Sequence, residues 1–190
     1  FNGGPGTVYQ QDTTTGFTSL LVDNAGVAGM QAGITSPAAT VWNFDRIELI
    51  AEGDLKLLDT DDSIVLTDSN MFGDGSAQLY LSNDYSYDQP ELAAFGLYVS
   101  PGLTLTIPDN FVVRGAKLTN LGTLVGGETL ALVANSGTNS LVHLHAQGNS
   151  AGQTPGTYAF TSLSVESDQV FELGGDPESG AGATLMTTDL

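Results

Sequence analysis

The sequence predicts an all-β chain wound as a solenoid, on three observations. The first is LYVSPGLTLTIPDNFVVRGAKLTNLGTLVGGETLALV, Leu97 to Val133, in which five short apolar runs follow one another. Within it Leu103, Leu105 and Ile107 alternate with Thr104 and Thr106, the period of an extended strand with one buried face. The second is the punctuation. Pro101-Gly102, Pro108-Asp109-Asn110, Arg114-Gly115 and Gly126-Gly127 put turn chemistry between runs too short to be helices. The third is an internal echo. VWNFDRIELIAEGDLKLLD aligns with TYAFTSLSVESDQVFELGG without a gap, matching Trp42 to Tyr158, Phe44 to Phe160, Ile47 to Leu163, Leu49 to Val165, Leu55 to Phe171 and Leu57 to Leu173 at one offset (173 − 57 = 116). Self-similarity of this kind marks architectures whose units stack because none can bury its apolar face alone. The competing fold is an antiparallel β-sandwich or jelly roll with a donated terminal strand, since short alternating strands with regular turns fit both.

The elements read as follows. Phe1 to Tyr9 is a glycine-rich entry ending in a short strand, and Thr13 to Gly16 is a turn. Ser19 to Val22 is a strand closed by Asp23-Asn24-Ala25-Gly26. Residues 25–40 are small and read as a surface excursion. In Val41 to Ile50, Trp42 and Phe44 point one way, and Ile47 and Leu49 share a face after a corner or bulge. Gly53-Asp54 leads into Leu55-Lys56-Leu57, and Asp59 to Ser63 leads into Ile64-Val65-Leu66. Asn70 to Ser76 reads as a loop, Leu79-Tyr80-Leu81 as a strand and Ser82 to Pro90 as a polar, aromatic loop. After the regular region come a strand at Leu141 to His145, a second small-residue excursion from Gln147 to Gly156, and strands at Thr157 to Phe160, Leu163 to Val165 and Val170 to Leu173. The tail from Gly180 to Met186 echoes the head from Gly4 to Tyr9. The 190 residues therefore read as one solenoid segment cut from a longer repetitive chain.

Composition narrows the function. Twenty-two acids face four bases, Arg46, Lys56, Arg114 and Lys117, for a net charge of −18. Small domains ordinarily carry a net charge of magnitude about 2–8. The excess repels phosphate backbones and anionic membranes, so neither nucleic-acid binding nor membrane insertion is expected. It suits a salty medium, where repulsion is screened beyond about 8 Å, or a chain that holds divalent cations. There is no Cys, which excludes thiolate nucleophiles and thiolate-ligated metals. No apolar run approaches the roughly 20 residues that span a bilayer.

GGPGTVY, LLVDN and the run WNFDRIELIAEGDLKLL together resemble secreted bacterial right-handed parallel β-helix proteins, among them large adhesins and autotransporter-type passengers. Their run F-x-x-I-x-[LV]-x-x-x-G-x-L-x-L is matched by Phe44, Ile47, Leu49, Gly53, Leu55 and Leu57. The second copy keeps Phe160, Leu163, Val165, Phe171 and Leu173 but has Asp168-Gln169 at the glycine turn. The resemblance implies a right-handed parallel β-helix in an extracellular or cell-surface setting; the coil pattern, the head–tail echo and the lack of a convergent reactive set add the expectation of a structural or adhesive role and no enzymatic one. At the 20–30 residues usual for short solenoid repeats, roughly six to nine coils would fit. Excursions at 25–40, 82–95 and 147–156 would leave the coil. Exposed strand edges suit end-to-end self-association, and a surface glycan or a host or neighbouring-cell protein is the other partner class. The alternative is a polysaccharide-binding or polysaccharide-cleaving β-helix of the tailspike or lyase kind. Four unclustered bases argue against a lyase, which needs basic residues to neutralise a uronate.

Candidate chemistry is sparse. Asp59, Asp61 and Asp62 make a D-x-D-D loop, with Asp74 between two glycines nearby, and oxygen-rich acidic loops suit Ca²⁺. The full EF-hand pattern is missing. Tyr85 and Tyr87 in SNDYSYDQP share a side if extended and, beside Asp84 and Asp88, would make a sugar-binding platform; packing on the solenoid wall is the competing reading. His143 and His145 project from one strand face and could begin a zinc site only with a third ligand from elsewhere. Gly148-Asn149-Ser150-Ala151-Gly152 matches the nucleophile-elbow pattern, but turn and strand follow it, and both histidines lie upstream. No catalytic residue and no cofactor is therefore assigned, and no Asn-x-Ser/Thr acceptor occurs.

Overall fold

The structure, a computed structural model, describes residues 6–27, 31–35, 40–135, 137–175 and 180–189. Among these there is no helix; the regular elements are all strands, most of two to five residues. The chain opens with β1 (Gly6–Gln11), β2 (Thr18–Asp23), β3 (Gln31–Ile34), β4 (Val41–Trp42), β5 (Arg46–Ile50), β6 (Asp54–Leu57), β7 (Ser63–Ile64) and β8 (Met71–Gly73). Its middle holds β9 (Gln78–Tyr80), β10 (Tyr85–Ser86), β11 (Glu91–Leu92), β12 (Gly96–Val99), β13 (Thr104–Thr106), β14 (Asn110–Arg114), β15 (Lys117–Asn120), β16 (Thr123–Val125) and β17 (Thr129–Val133). The last are β18 (Leu141–His145), β19 (Asn149–Ser150), β20 (Thr157–Val165), β21 (Val170–Gly174) and β22 (Thr184–Asp189).

Strands fall into sheets in rotation. The largest sheet takes every third strand, in the order β21-β18-β15-β12-β9-β6-β3. Between its members the chain visits two other positions. One is held first by β1-β2-β5-β8 and later by β11-β14-β17-β20-β22, the other by β4-β7 and then β10-β13-β16-β19. Pairing is parallel throughout these ladders except where β1 meets β2 antiparallel. The antiparallel sandwich or jelly roll does not form, because strands that succeed one another in a sheet run in the same direction.

Register explains the core. In the largest sheet Ala32 pairs with Leu55, Leu55 with Leu79, Leu79 with Leu97, Leu97 with Leu118, Leu118 with Val142 and Val142 with Phe171. Alternation puts each of these on the inner face, and all but Phe171 are buried. Leu105 and Leu124 make a second column, and Phe111, Leu130 and Leu163 a third. Burying one such Leu or Phe contributes about 1.5–3 kcal/mol. Leu55 and Phe171, matched in the echo, stand in one column, so the echo's offset equals the length of five successive rounds.

Several stretches read from sequence as loops are short strands. The excursion at 25–40 contains β3, whose Ala32 is buried against Leu55. The Asn70 to Ser76 loop contains β8, the Ser82 to Pro90 loop contains β10, the wider 82–95 stretch also β11, and the 147–156 stretch contains β19. β15 lies between two of the apolar runs, where the sequence marks no strand of its own. Its inward residues are Leu118 and Asn120, and an Asn in a KLTN string looks like turn chemistry. β20 runs unbroken where two strands were expected. Residues 28–30 and 36–39 of the first excursion, and Gly4 and Pro5 of the head echo, lie outside the described residues. No helix among the described residues is long and apolar enough to cross a membrane.

Candidate functional site

The surplus acids are built into the wall. Backbone N–H groups at the corners between strands lack ladder partners, and a buried unpaired N–H is costly. Aspartates from the neighbouring round accept them. Asp45 accepts from Thr18 N–H at 2.7 Å, Asp54 from Gln78 N–H at 2.8 Å, Asp74 from Ala51 N–H at 2.9 Å and Asp84 from Thr104 N–H at 2.7 Å. Asp62, fully buried, accepts the Thr40 N–H at 3.0 Å and the Trp42 indole N–H at 3.3 Å. Asn70 does the converse, donating to the carbonyls of Phe44 at 3.1 Å and Val65 at 2.9 Å.

Titration follows this geometry. The Thr18 N–H and hydroxyl hold the Asp45 carboxyl below the usual carboxylate range. Burial pushes Asp74 up, but hydrogen bonds from Ser76 and Ala51 outweigh it and leave that carboxyl lowered. At Asp54 the balance reverses. Half-burial raises its carboxyl more than the Gln78 N–H and the Tyr80 hydroxyl, 3.3 Å away, lower it.

The four aspartates named for Ca²⁺ are therefore in different employment. Asp59 caps its own turn through the Asp61 N–H at 3.1 Å. Asp61 is exposed. Asp62 points at Thr40 and Trp42, and Asp74 at Ala51 and Ser76. Among the described residues no three His, Asp or Glu side chains converge as a metal ion requires.

Tyr85 and Tyr87 do share a side, and it is the inner one. Tyr85 pairs with buried Leu105, which turns its ring inward. Its hydroxyl donates to the Ile64 carbonyl at 2.8 Å and accepts the Leu66 N–H at 3.2 Å; burial pushes it up to about 12. Tyr87 is 1% exposed, packs edge-on against Phe111 and donates to the Glu91 carbonyl at 2.8 Å, and burial raises its hydroxyl further. The pair is part of the core and offers no platform to solvent.

His143 and His145 face outward from β18 with ring centres 6.0 Å apart. His143 Nδ1 lies 4.0 Å from Glu172 Oε2, and its Nε2 is buried without a hydrogen-bond partner against Gly174. Ser150 sits in β19, 7% exposed, with its hydroxyl accepting the Ala159 N–H at 3.2 Å. A turn follows it rather than a helix, so the elbow geometry is not built. Compared with known proteins, the chain matches no family model, no curated protein and no solved structure.

Proposed function

We propose that the chain is a right-handed parallel β-helix segment with a non-enzymatic structural or adhesive role at a cell surface or in an extracellular filament. The observation that carries this reading is the parallel column from Ala32 to Phe171, with one residue contributed by each round of the chain. A chain that rises by one strand spacing per round makes a short stack of layers, which end-to-end association would extend into a rod. The right hand follows from the handedness of parallel crossovers, about 98% of which are right-handed. The corner aspartates support the same reading, since they tie one round to the next.

End-to-end association is part of the proposal. β3 and β21 are the edge strands of the largest sheet, and Val165, Val170, Leu173 and Met186 are exposed on the last strands. Unpaired edges beside apolar surface invite a further strand layer. Adhesion would be to a surface glycan or to a protein of a neighbouring cell. Negative-stain microscopy of the purified chain tests the rod, and incubation with acidic and neutral polysaccharides tests the alternative of a sugar-cleaving β-helix. Rods that lengthen with protein concentration, with no release of reducing ends, are expected. Globular particles, or reducing ends released in proportion to protein, would overturn the reading. Melting with calcium and with chelator tests the acidic loop: a chelator that leaves the midpoint in place removes Ca²⁺ from the account.

A further inference from the structure

A cavity of about 620 Å³ opens beside β4, lined by Tyr9, Leu20, Ile34, Val41, Trp42 and Phe44, with threonines, Gly33 and Asn43 completing the described wall. Its size falls within the roughly 300–1,000 Å³ of small-molecule sites. None of the described lining residues is charged, in a chain that carries 22 acids. The aromatic rings are held in place before any ligand arrives. Trp42 stacks on Phe44 with centres 5.9 Å apart and planes at 8°, and Tyr9 meets Phe44 edge-on at 6.1 Å. The Trp42 indole N–H is anchored to Asp62, which is buried and also holds the Thr40 N–H, so the ring is not free to swing and fill the space. Tyr9 comes from β1, which pairs antiparallel with β2, and is 56% exposed; Val41 at the rim is 66% exposed.

We infer that this cavity binds a small, neutral, flat apolar molecule, an aromatic ring system lying against Trp42 and the aliphatic wall. An anion is disfavoured by the acid-rich chain. A cation would leave its water for a lining that offers no counter-charge. A free sugar carries more hydroxyls than a few threonines and one Asn can satisfy, and an unpaired polar group is costly once buried.

Trp42 is the only tryptophan in the sequence, so its fluorescence reports this cavity alone. The probe is N-phenylnaphthylamine, which is neutral, with anilinonaphthalene sulfonate as its anionic counterpart. Saturable quenching of Trp42 by the neutral probe is expected. Val41→Asp, at an exposed position, should weaken that binding about tenfold by setting a charge beside an apolar ligand, and the sulfonate should bind the native chain correspondingly less well. Ile34→Phe, which fills the cavity, should weaken it similarly. Quenching that does not saturate, or that both variants leave unchanged, overturns the inference. Circular dichroism of each variant confirms that its fold is kept, and Val41→Asp carries the test alone if Ile34→Phe does not fold.

Discussion

Asp62 shows what an acid does in this chain. It is fully buried, yet its two carboxylate oxygens meet a backbone N–H from Thr40 and the indole N–H of Trp42. Removing the acceptor leaves buried donors unpaired. Asp62→Ala is expected to cost about 2 kcal/mol, read as a lower denaturant midpoint, and Asp62→Asn less, because one acceptor oxygen remains. Asp54 bears on stability through its own titration. Its carboxyl is raised in the folded chain, so the protonated form favours folding. Stability from this group is full below the unfolded value of about 3.9 and is lost as pH rises through the raised folded value. Asp54→Asn should therefore raise Tm near neutral pH by about 1–3 °C, a gain that vanishes in acid. Asp12 and Asp45, both lowered by hydrogen bonds, contribute stability at neutral pH that disappears as pH falls through their lowered values. Asp12 closes its own turn through the Thr14 and Thr15 N–H groups, but the roles of Asp45, Asp54 and Asp62 were not legible in the sequence. The donor to each corner carboxylate lies a full round away, so the acids read only as surplus charge. Asp62 read as part of a cation loop for the same reason, its donors on Thr40 and Trp42 lying a round away.

At the level of elements, legibility tracked length and alternation. β13, β14 and β17 carry three or more residues of apolar alternation bounded by Gly or Pro, and the sequence places them. β10 and β19 are two residues long, below any periodicity. β10 shows the cost: the shared side of Tyr85 and Tyr87 was read from spacing, but only the pairing of Tyr85 with Leu105 reveals that this side faces the core. β3 and β15 were hidden differently, by a small Ala32 and a polar Asn120 at inward positions. Asn120 is accommodated in part: its amide nitrogen donates to the Gly122 carbonyl at 2.9 Å and lies 3.3 Å from the Tyr158 hydroxyl, while its Oδ1 is buried without a hydrogen-bond partner. The rounds also approach closely where side chains are absent. A Cβ on Gly96 in β12 would meet the Lys117 carbonyl oxygen at 2.2 Å. Gly96→Ala must push β12 from β15 and is expected to destabilise by about 1–3 kcal/mol, measured by chemical denaturation.

For the whole molecule, the three-position rotation makes every round depend on its neighbours and not on distant sequence. The all-β class follows from many short strands with tight corners, which fit an antiparallel sandwich equally well; the parallel sense is settled by the strand pairing. The variable length of the rounds does not follow from that pattern either, since 18 residues separate Leu79 from Leu97 (97 − 79 = 18) and 29 separate Val142 from Phe171 (171 − 142 = 29). The acidic surface belongs to the same scale, because side chains that close corners in each round sum to a charged wall. The chain has no native Cys, so an engineered pair reports register without competition. Thr104 and Thr123 are partners in adjacent parallel strands and both are half-buried. Adjacent strands lie about 4.8 Å apart, within disulfide reach, whereas a partner two residues out of register lies about 8 Å away and beyond it. Mild oxidation of the folded Thr104→Cys/Thr123→Cys chain should close the disulfide, and Thr104→Cys/Val125→Cys should stay reduced. Closure of the second pair but not the first would contradict the parallel stacking on which the account rests.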